Sequence, residues 1–221
     1  ERVFPDVEPS RLEELFDEPL PLEGEPIEQV LAEIEAKILP YCTHVGHPGY
    51  MGLITPSPTP VGVLVDLIAA ALNQNLGAYS IGPAAVSMER RGVRWLTDLT
   101  GFGPAAGGHL TSGGMMANFV GMKLARDRVT ENAAQRQGLR ERCAVYTSEE
   151  RHVSVDKAVD AVGIGRENLR SLPTDEAFRL RIDALEEALA SDKRAGIRPI
   201  AVVALAGTTN LGAVDPLREV R

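Results

Sequence analysis

The sequence predicts an α/β fold with a mainly parallel sheet. Two observations lead there: strand-like and helix-like segments alternate through the second half of the chain, and Ile200–Ala206 is an unbroken apolar run. Such a run is expected of a parallel strand covered on both faces, here a central one.

The elements follow in order. Residues 1–26 hold five prolines among many acids and read as an arm rather than a core element. From Ile27 the pattern changes: Ile27, Val30, Leu31, Ile34 and Ile38 recur at three- and four-residue spacing, which predicts an amphipathic helix stopped by Pro40. A loop rich in Gly, Pro and His, Tyr41 to Pro60, comes next. A second helix, about Val61–Asn75, is apolar nearly all round and is expected to be buried. Residues 84–100 form a third helix with Gly101 as its stop, and Gly101–Gly114 leads into a fourth from about Met115 to Val129. Cys143–Ser148 is a short strand, Ser154–Val162 a helix and Leu169–Leu172 a further strand. Asp183 with Glu186 resembles a capping box for a helix over Ala184–Lys193.

Composition narrows the classes. With 44% hydrophobic and 24% charged residues over 221 positions, the chain is neither a disordered tail, a collagen-like fibre nor a coiled coil. Val61–Leu72 is interrupted by Asp66 and too short to span a bilayer, and no basic run leads into an apolar segment near the N-terminus, so neither membrane nor signal peptide is expected. The net charge is −8: residues 1–35 hold twelve acids and two basic residues, a net of −10, and the remainder carries +2. The basic clusters Arg90–Arg91 and Arg140 with Arg142 are too small for a nucleic-acid surface. Cys42 and Cys143 lie far apart without metal-like spacing, which fits a reducing cytoplasm with neither a disulfide framework nor a zinc site.

Four loops carry chemistry, and a fifth only imitates a motif. Gly101-Phe102-Gly103-Pro104-Ala105-Ala106 fits a dinucleotide fingerprint in letters only, because a helix precedes it and Pro104 sits inside it. Thr111-Ser112-Gly113-Gly114-Met115 places small residues directly before a helix, where backbone N–H groups and the helix dipole can cradle a phosphate. No Gly-Lys-Ser/Thr follows, so it is not a Walker loop. His152 lies between a strand and a helix, and Gly207-Thr208-Thr209 with Gly212 and Asp215-Pro216 follows the apolar strand; ligands gather at such carboxyl ends. Finally His44, Gly46, His47, Pro48 and Tyr50 form a loop that suits a ligand better than a metal, since no third His or carboxylate is nearby.

Taken together these residues identify a resemblance. From about Ile27 to the end, the chain resembles the group II pyridoxal-phosphate-dependent amino-acid decarboxylases, the family of aromatic amino-acid and glutamate decarboxylases. The resemblance is carried by His47-Pro48, Tyr79-Ser80 with Met88-Glu89, Thr111-Ser112-Gly113-Gly114 with Ala117-Asn118, His152, and Gly207-Thr208-Thr209 with Gly212 and Asp215-Pro216. It implies the three-layer fold type I, aspartate aminotransferase-like, with residues 1–56 as a dimer-clasping arm and helix. Residues 57–221 would be the first part of the large cofactor domain. It implies pyridoxal 5′-phosphate as cofactor and decarboxylation of an L-amino acid to an amine through a substrate–cofactor Schiff base. The protein would be a cytoplasmic homodimer with shared active sites.

By the same resemblance Gly113, Gly114 and Met115 hold the cofactor phosphate, and His152, as the catalytic residue, stacks on the pyridine ring. Thr209 bonds near the ring substituents and Asp215 supports the site from behind. His47, Pro48, Tyr50 and Thr55 line the substrate pocket, and Tyr79 reaches the neighbouring subunit. Leu53, Ile54 and Tyr50 lean toward an apolar or aromatic substrate. Two departures stand out: Met115 occupies a position where many relatives have Ser, and the chain stops at Arg221, before the family's ring-nitrogen Asp and its cofactor-binding Lys. The expectation is therefore an N-terminal half that is inactive alone. A carbon–carbon lyase or aldehyde-forming relative, and a non-catalytic partner subunit of the same fold, are the alternatives.

Overall fold

The computed structural model describes residues 2–221. The chain divides into two compact units, one ending at Gln74 and the other spanning Asn75–Arg221.

In the first unit the acidic arm contains a short helix, α1 (Pro9–Phe16), with a proline at its start. This corrects the expectation of an arm without an element: Pro9 has no N–H to lose at a helix start, and the next proline, Pro19, comes only after the helix has ended. The helix predicted from Ile27 is present as α2 (Ile27–Glu33), continues as one wider π turn over Ile34–Ile38, and ends in a 3-10 turn, Leu39–Tyr41, that contains Pro40. Lys37 pairs with Glu18 and Glu33, tying this helix to the segment after α1.

α3 (Pro60–Leu72) begins with Thr59, whose hydroxyl accepts the Gly62 N–H at 3.2 Å, and with Pro60 at the first helical position. It ends at Asn73, which takes the left-handed conformation at φ 42°. The expectation that this helix is buried is overturned: Leu64, Leu67 and Ile68 are 60%, 66% and 57% exposed. An all-round apolar helix needs cover on every side, and the other described elements of its own unit do not supply it.

The second unit opens with α4 (Pro83–Leu99). Its stop has a physical cause: Gly101 turns left-handed at φ 73°, the Gly101 N–H reaches Asp98 and the Phe102 N–H reaches Thr97. This is a Schellman closure, so the glycines of the nucleotide-like decoy end a helix. α5 (Gly114–Val129) and α6 (Ala133–Gln137) lead to β1 (Cys143–Ser148). Then come α7 (Val153–Ala161), β2 (Leu169–Leu172), α8 (Ile182–Arg194), β3 (Arg198–Val203) and a short α9 (Leu217–Val220).

The three strands form a parallel sheet in the order β2-β1-β3, with Val145 opposite Leu169 on one side and Tyr146 opposite Val202 on the other. The central strand is therefore β1, buried along its whole length, and β3 is an edge strand with mostly half-buried residues. This corrects the reading of Ile200–Ala206 as central; an apolar run marks a strand that needs cover, and within these residues β1 takes the middle. The strand also ends at Val203, sooner than predicted.

Alternation along β1 builds two cores. Cys143 and Val145 meet Met122 of α5 with Ala158 and Val159 of α7, while Ala144 and Tyr146 meet Leu180 and Leu185 on the α8 side. The Tyr146 hydroxyl donates to Asp192 at 2.8 Å, and Arg170 binds the same carboxylate through two nitrogens. Burial, then the Asp192 hydrogen bond, pushes the Tyr146 pKa far up. The capping box expected of Asp183 and Glu186 is absent: no side chain caps α8, and Asp183 pairs with Arg181 instead.

Candidate functional site

The carboxyl ends of the three parallel strands gather their following loops at one edge of the sheet. After β1 comes Glu149–His152, after β2 the turn Pro173–Arg181, and after β3 the loop Ala204–Pro216.

Gly113 immediately precedes α5; its φ of 148° suits glycine far better than any other residue, and no side chain caps this end. A Cβ at Gly113 or Gly114 would meet nothing within 4 Å, so the helix start is open on its outer side. The first-turn N–H groups have no partner within the helix and point outward along a favourable dipole. The residue types and the open space beside the two glycines are those an anion site at a helix start needs. Met115 is half exposed at the same turn and adds no donor of its own beyond its backbone.

His152 caps α7. Its Nδ1 accepts the Ser154 N–H at 3.2 Å and lies 2.9 Å from the Ser154 hydroxyl, while the Asn118 side-chain amide donates to that hydroxyl at 2.7 Å. A backbone N–H can only donate, so Nδ1 carries the lone pair and the ring proton sits on Nε2. Ser154 is fully buried and the imidazole is exposed. Sequence reasoning named His152 but missed Ser154; the signal was a hydroxyl two residues beyond a residue at a helix start. Asn118, quoted only as part of a motif, proves to be the link from α5 to α7.

The loop after β3 divides its two threonines. Thr208 is buried, its hydroxyl accepting the Ala213 N–H at 3.2 Å, whereas Thr209 is exposed at the tip. Asp215 is 3% exposed, and its two carboxylate oxygens accept the N–H groups of Leu205 and Leu180, each at 2.7 Å. It thus clamps the β3 loop to the turn after β2, with both oxygens occupied.

At the start of the second unit, the Arg90 guanidinium lies 5.7 Å from the centre of the exposed Tyr79 ring. Glu89 accepts the Leu110 N–H at 2.9 Å and so anchors the segment that runs into the cradle. In the first unit His47 Nδ1 accepts the Gly49 N–H at 2.9 Å, which fixes the turn through the exposed Pro48. The Tyr50 hydroxyl is 2.5 Å from Thr55 Oγ1, bringing these two together, and the Tyr50 ring packs against Phe4 at 5.8 Å.

With that geometry described, the comparisons with known proteins give the class. The pyridoxal-dependent decarboxylase conserved domain matches residues 9–221, and the chain belongs to that family. Pyridoxal 5′-phosphate is accordingly the cofactor. The chain is 33% identical to an aromatic-L-amino-acid decarboxylase of Bacillus atrophaeus, over 91% of this chain and 41% of that protein. It is 32% identical to a phenylacetaldehyde synthase of Petunia hybrida, over 96% and 43% respectively. Its backbone superposes on Oryza sativa TDC solved with PLP and tryptamine at a TM-score of 0.89, with 28% identity, over 99% of this chain and 46% of that one. The chain thus spans less than half the length of these relatives.

Proposed function

We propose that the protein decarboxylates an L-amino acid with pyridoxal 5′-phosphate, this chain holding the cofactor's phosphate and covering one face of its ring. The observation that carries the proposal is the link from the open start of α5 through Asn118 and Ser154 to the exposed His152 ring. The family supports the same reading.

When bound, the cofactor supplies an electron sink for the pair left as CO₂ departs. The chain's own residues do the rest. Backbone N–H groups at Gly113–Met115 would hold the cofactor phosphate, and the exposed His152 imidazole would cover its ring. The exposed Thr209 hydroxyl donates to a ring substituent, while Thr208 and Asp215 keep its loop rigid. Such fixed geometry lowers the barrier by orienting the bond to be broken rather than by adding new chemistry. His47, Pro48, Tyr50 and Thr55 contact substrate, and the exposed Leu53 and Ile54 beside them favour an apolar or aromatic side chain. Tyr79 reaches the site of a second subunit, and residues 1–56 clasp the dimer. The compartment is the cytoplasm, in keeping with two free cysteines; among the described residues no helix is long and apolar enough to cross a membrane.

The test is release of CO₂ and amine by the full-length protein, given the cofactor and a panel of L-amino acids. Absence of both cofactor binding and CO₂ release would overturn the proposal. The Petunia relative favours a second reading, aldehyde formation, which product analysis separates: aldehyde in place of amine selects it.

A further inference from the structure

We infer that Ser154 and Asn118 are positioning residues for His152, holding its imidazole in the Nε2–H form with one face presented at the carboxyl edge of the sheet. The inference deepens the proposed function and rests on it, because the face so held is the one that would cover the cofactor ring.

The argument starts from donors and lone pairs. Nδ1 receives the Ser154 N–H, whose direction is set by the first turn of α7. The Ser154 hydroxyl has one proton and accepts from Asn118, so its own proton goes to Nδ1. Two donors therefore converge on one ring nitrogen, and rotation of the ring or migration of its proton to Nδ1 would break both bonds.

A simple helix cap does not account for this arrangement. Ser, Thr, Asp or Asn caps a helix better and without a large ring left in solvent. The hydroxyl that completes the network is almost wholly buried, at 1% exposure, and its second partner comes from another helix thirty-six residues away in sequence. That partner, Asn118, is the fifth residue of α5, whose start forms the phosphate cradle. The cradle and the ring are thereby registered to one another through two hydrogen bonds. A cofactor held at its phosphate end meets an imidazole whose plane is already set, which removes an ordering cost from binding.

The experiment is a double-mutant cycle in the full-length protein with S154A, H152A and the double variant, together with S154T and N118A. Three quantities are read: the dissociation constant for pyridoxal phosphate by absorbance titration, the visible circular dichroism per bound cofactor, and kcat against KM. Loss of the hydroxyl, with its hydrogen bonds to His152 and Asn118, predicts that S154A weakens cofactor binding and lowers kcat roughly tenfold, with KM changed less. The dichroic band shrinks, and S154T restores all three. On the H152A background S154A costs nothing further, because the group it positions is gone.

Equal losses from S154A on both backgrounds would overturn the inference, as would an unchanged dichroic band per bound cofactor beside a lowered melting temperature. Should S154A not fold, N118A on the helix surface carries the same non-additive prediction. Wild-type protein that binds no cofactor defeats the functional reading and this inference together. Wild type that binds and decarboxylates while the cycle is additive defeats the inference alone.

Discussion

Asp215 and Asp127 show how one residue type serves two ends. Asp215 has no basic partner among the described residues; its oxygens are spent on two backbone N–H groups, Leu180 and Leu205, from different loops. Replacement by Ala strands both donors in a buried place, and a loss of about 2–4 kcal/mol is expected in urea unfolding, from about 1–3 kcal/mol per orphaned group with partial relaxation. Asp127 is instead held by Lys123, then Arg126 and Gln135, which bring its pKa down to about 2 from 3.8. A depressed carboxylate pKa means the unfolded chain binds protons first on acidification. Its contribution is thus complete above pH 3.8 and lost as pH falls from there toward about 2. Asp127→Asn should flatten the acid limb of a stability–pH curve; an unchanged limb would count against this account. Sequence alone could name both residues as acids and Asp215 as supporting, but not the partners of Asp215, since Leu180 lies thirty-five residues away; those of Asp127 lie within eight residues of it.

Among elements, α5 has the least ordinary start. No side chain caps it, and Gly113 sits at φ 148°, where an L residue with a Cβ is strained even though the space beside it is open. Gly113→Ala is expected to cost about 1–3 kcal/mol of local backbone strain. If the start of α5 holds the cofactor phosphate, the same variant raises the dissociation constant for pyridoxal phosphate roughly tenfold or more. A titration showing wild-type affinity would remove α5 from the cofactor site. The glycines of this start were legible because small residues before a helix have a physical meaning. The absence of a capping box at α8 was not legible, because Asp183 pairs with Arg181 instead. Likewise the apolar periodicity located α3 but could not say what covers it.

At the scale of the whole molecule, α3 sets the outstanding question. Val61, Leu64, Val65, Ile68 and Leu72 fall on one helical face and are each more than half exposed. Apolar patches of that kind mark protein–protein contacts, and a second copy of the chain is the proposed cover. On that proposal the full-length wild type is dimeric in light scattering and the double substitution Leu64→Asp with Ile68→Asp makes it monomeric; a wild type that is monomeric at all concentrations would refute it. Much of the secondary structure, the α/β class and the loops that bear His152, Gly113 and Thr209 were determined by the sequence itself, because hydrophobic period, proline and glycine act within a few residues. Tertiary structure decided the remainder: that β1 and not β3 lies at the centre, that Thr208 is the buried staple and Thr209 the exposed hydroxyl, and that Asn118 reaches Ser154. Strand order and side-chain partnership across tens of residues depend on which surfaces meet in space, and local pattern carries no record of that meeting.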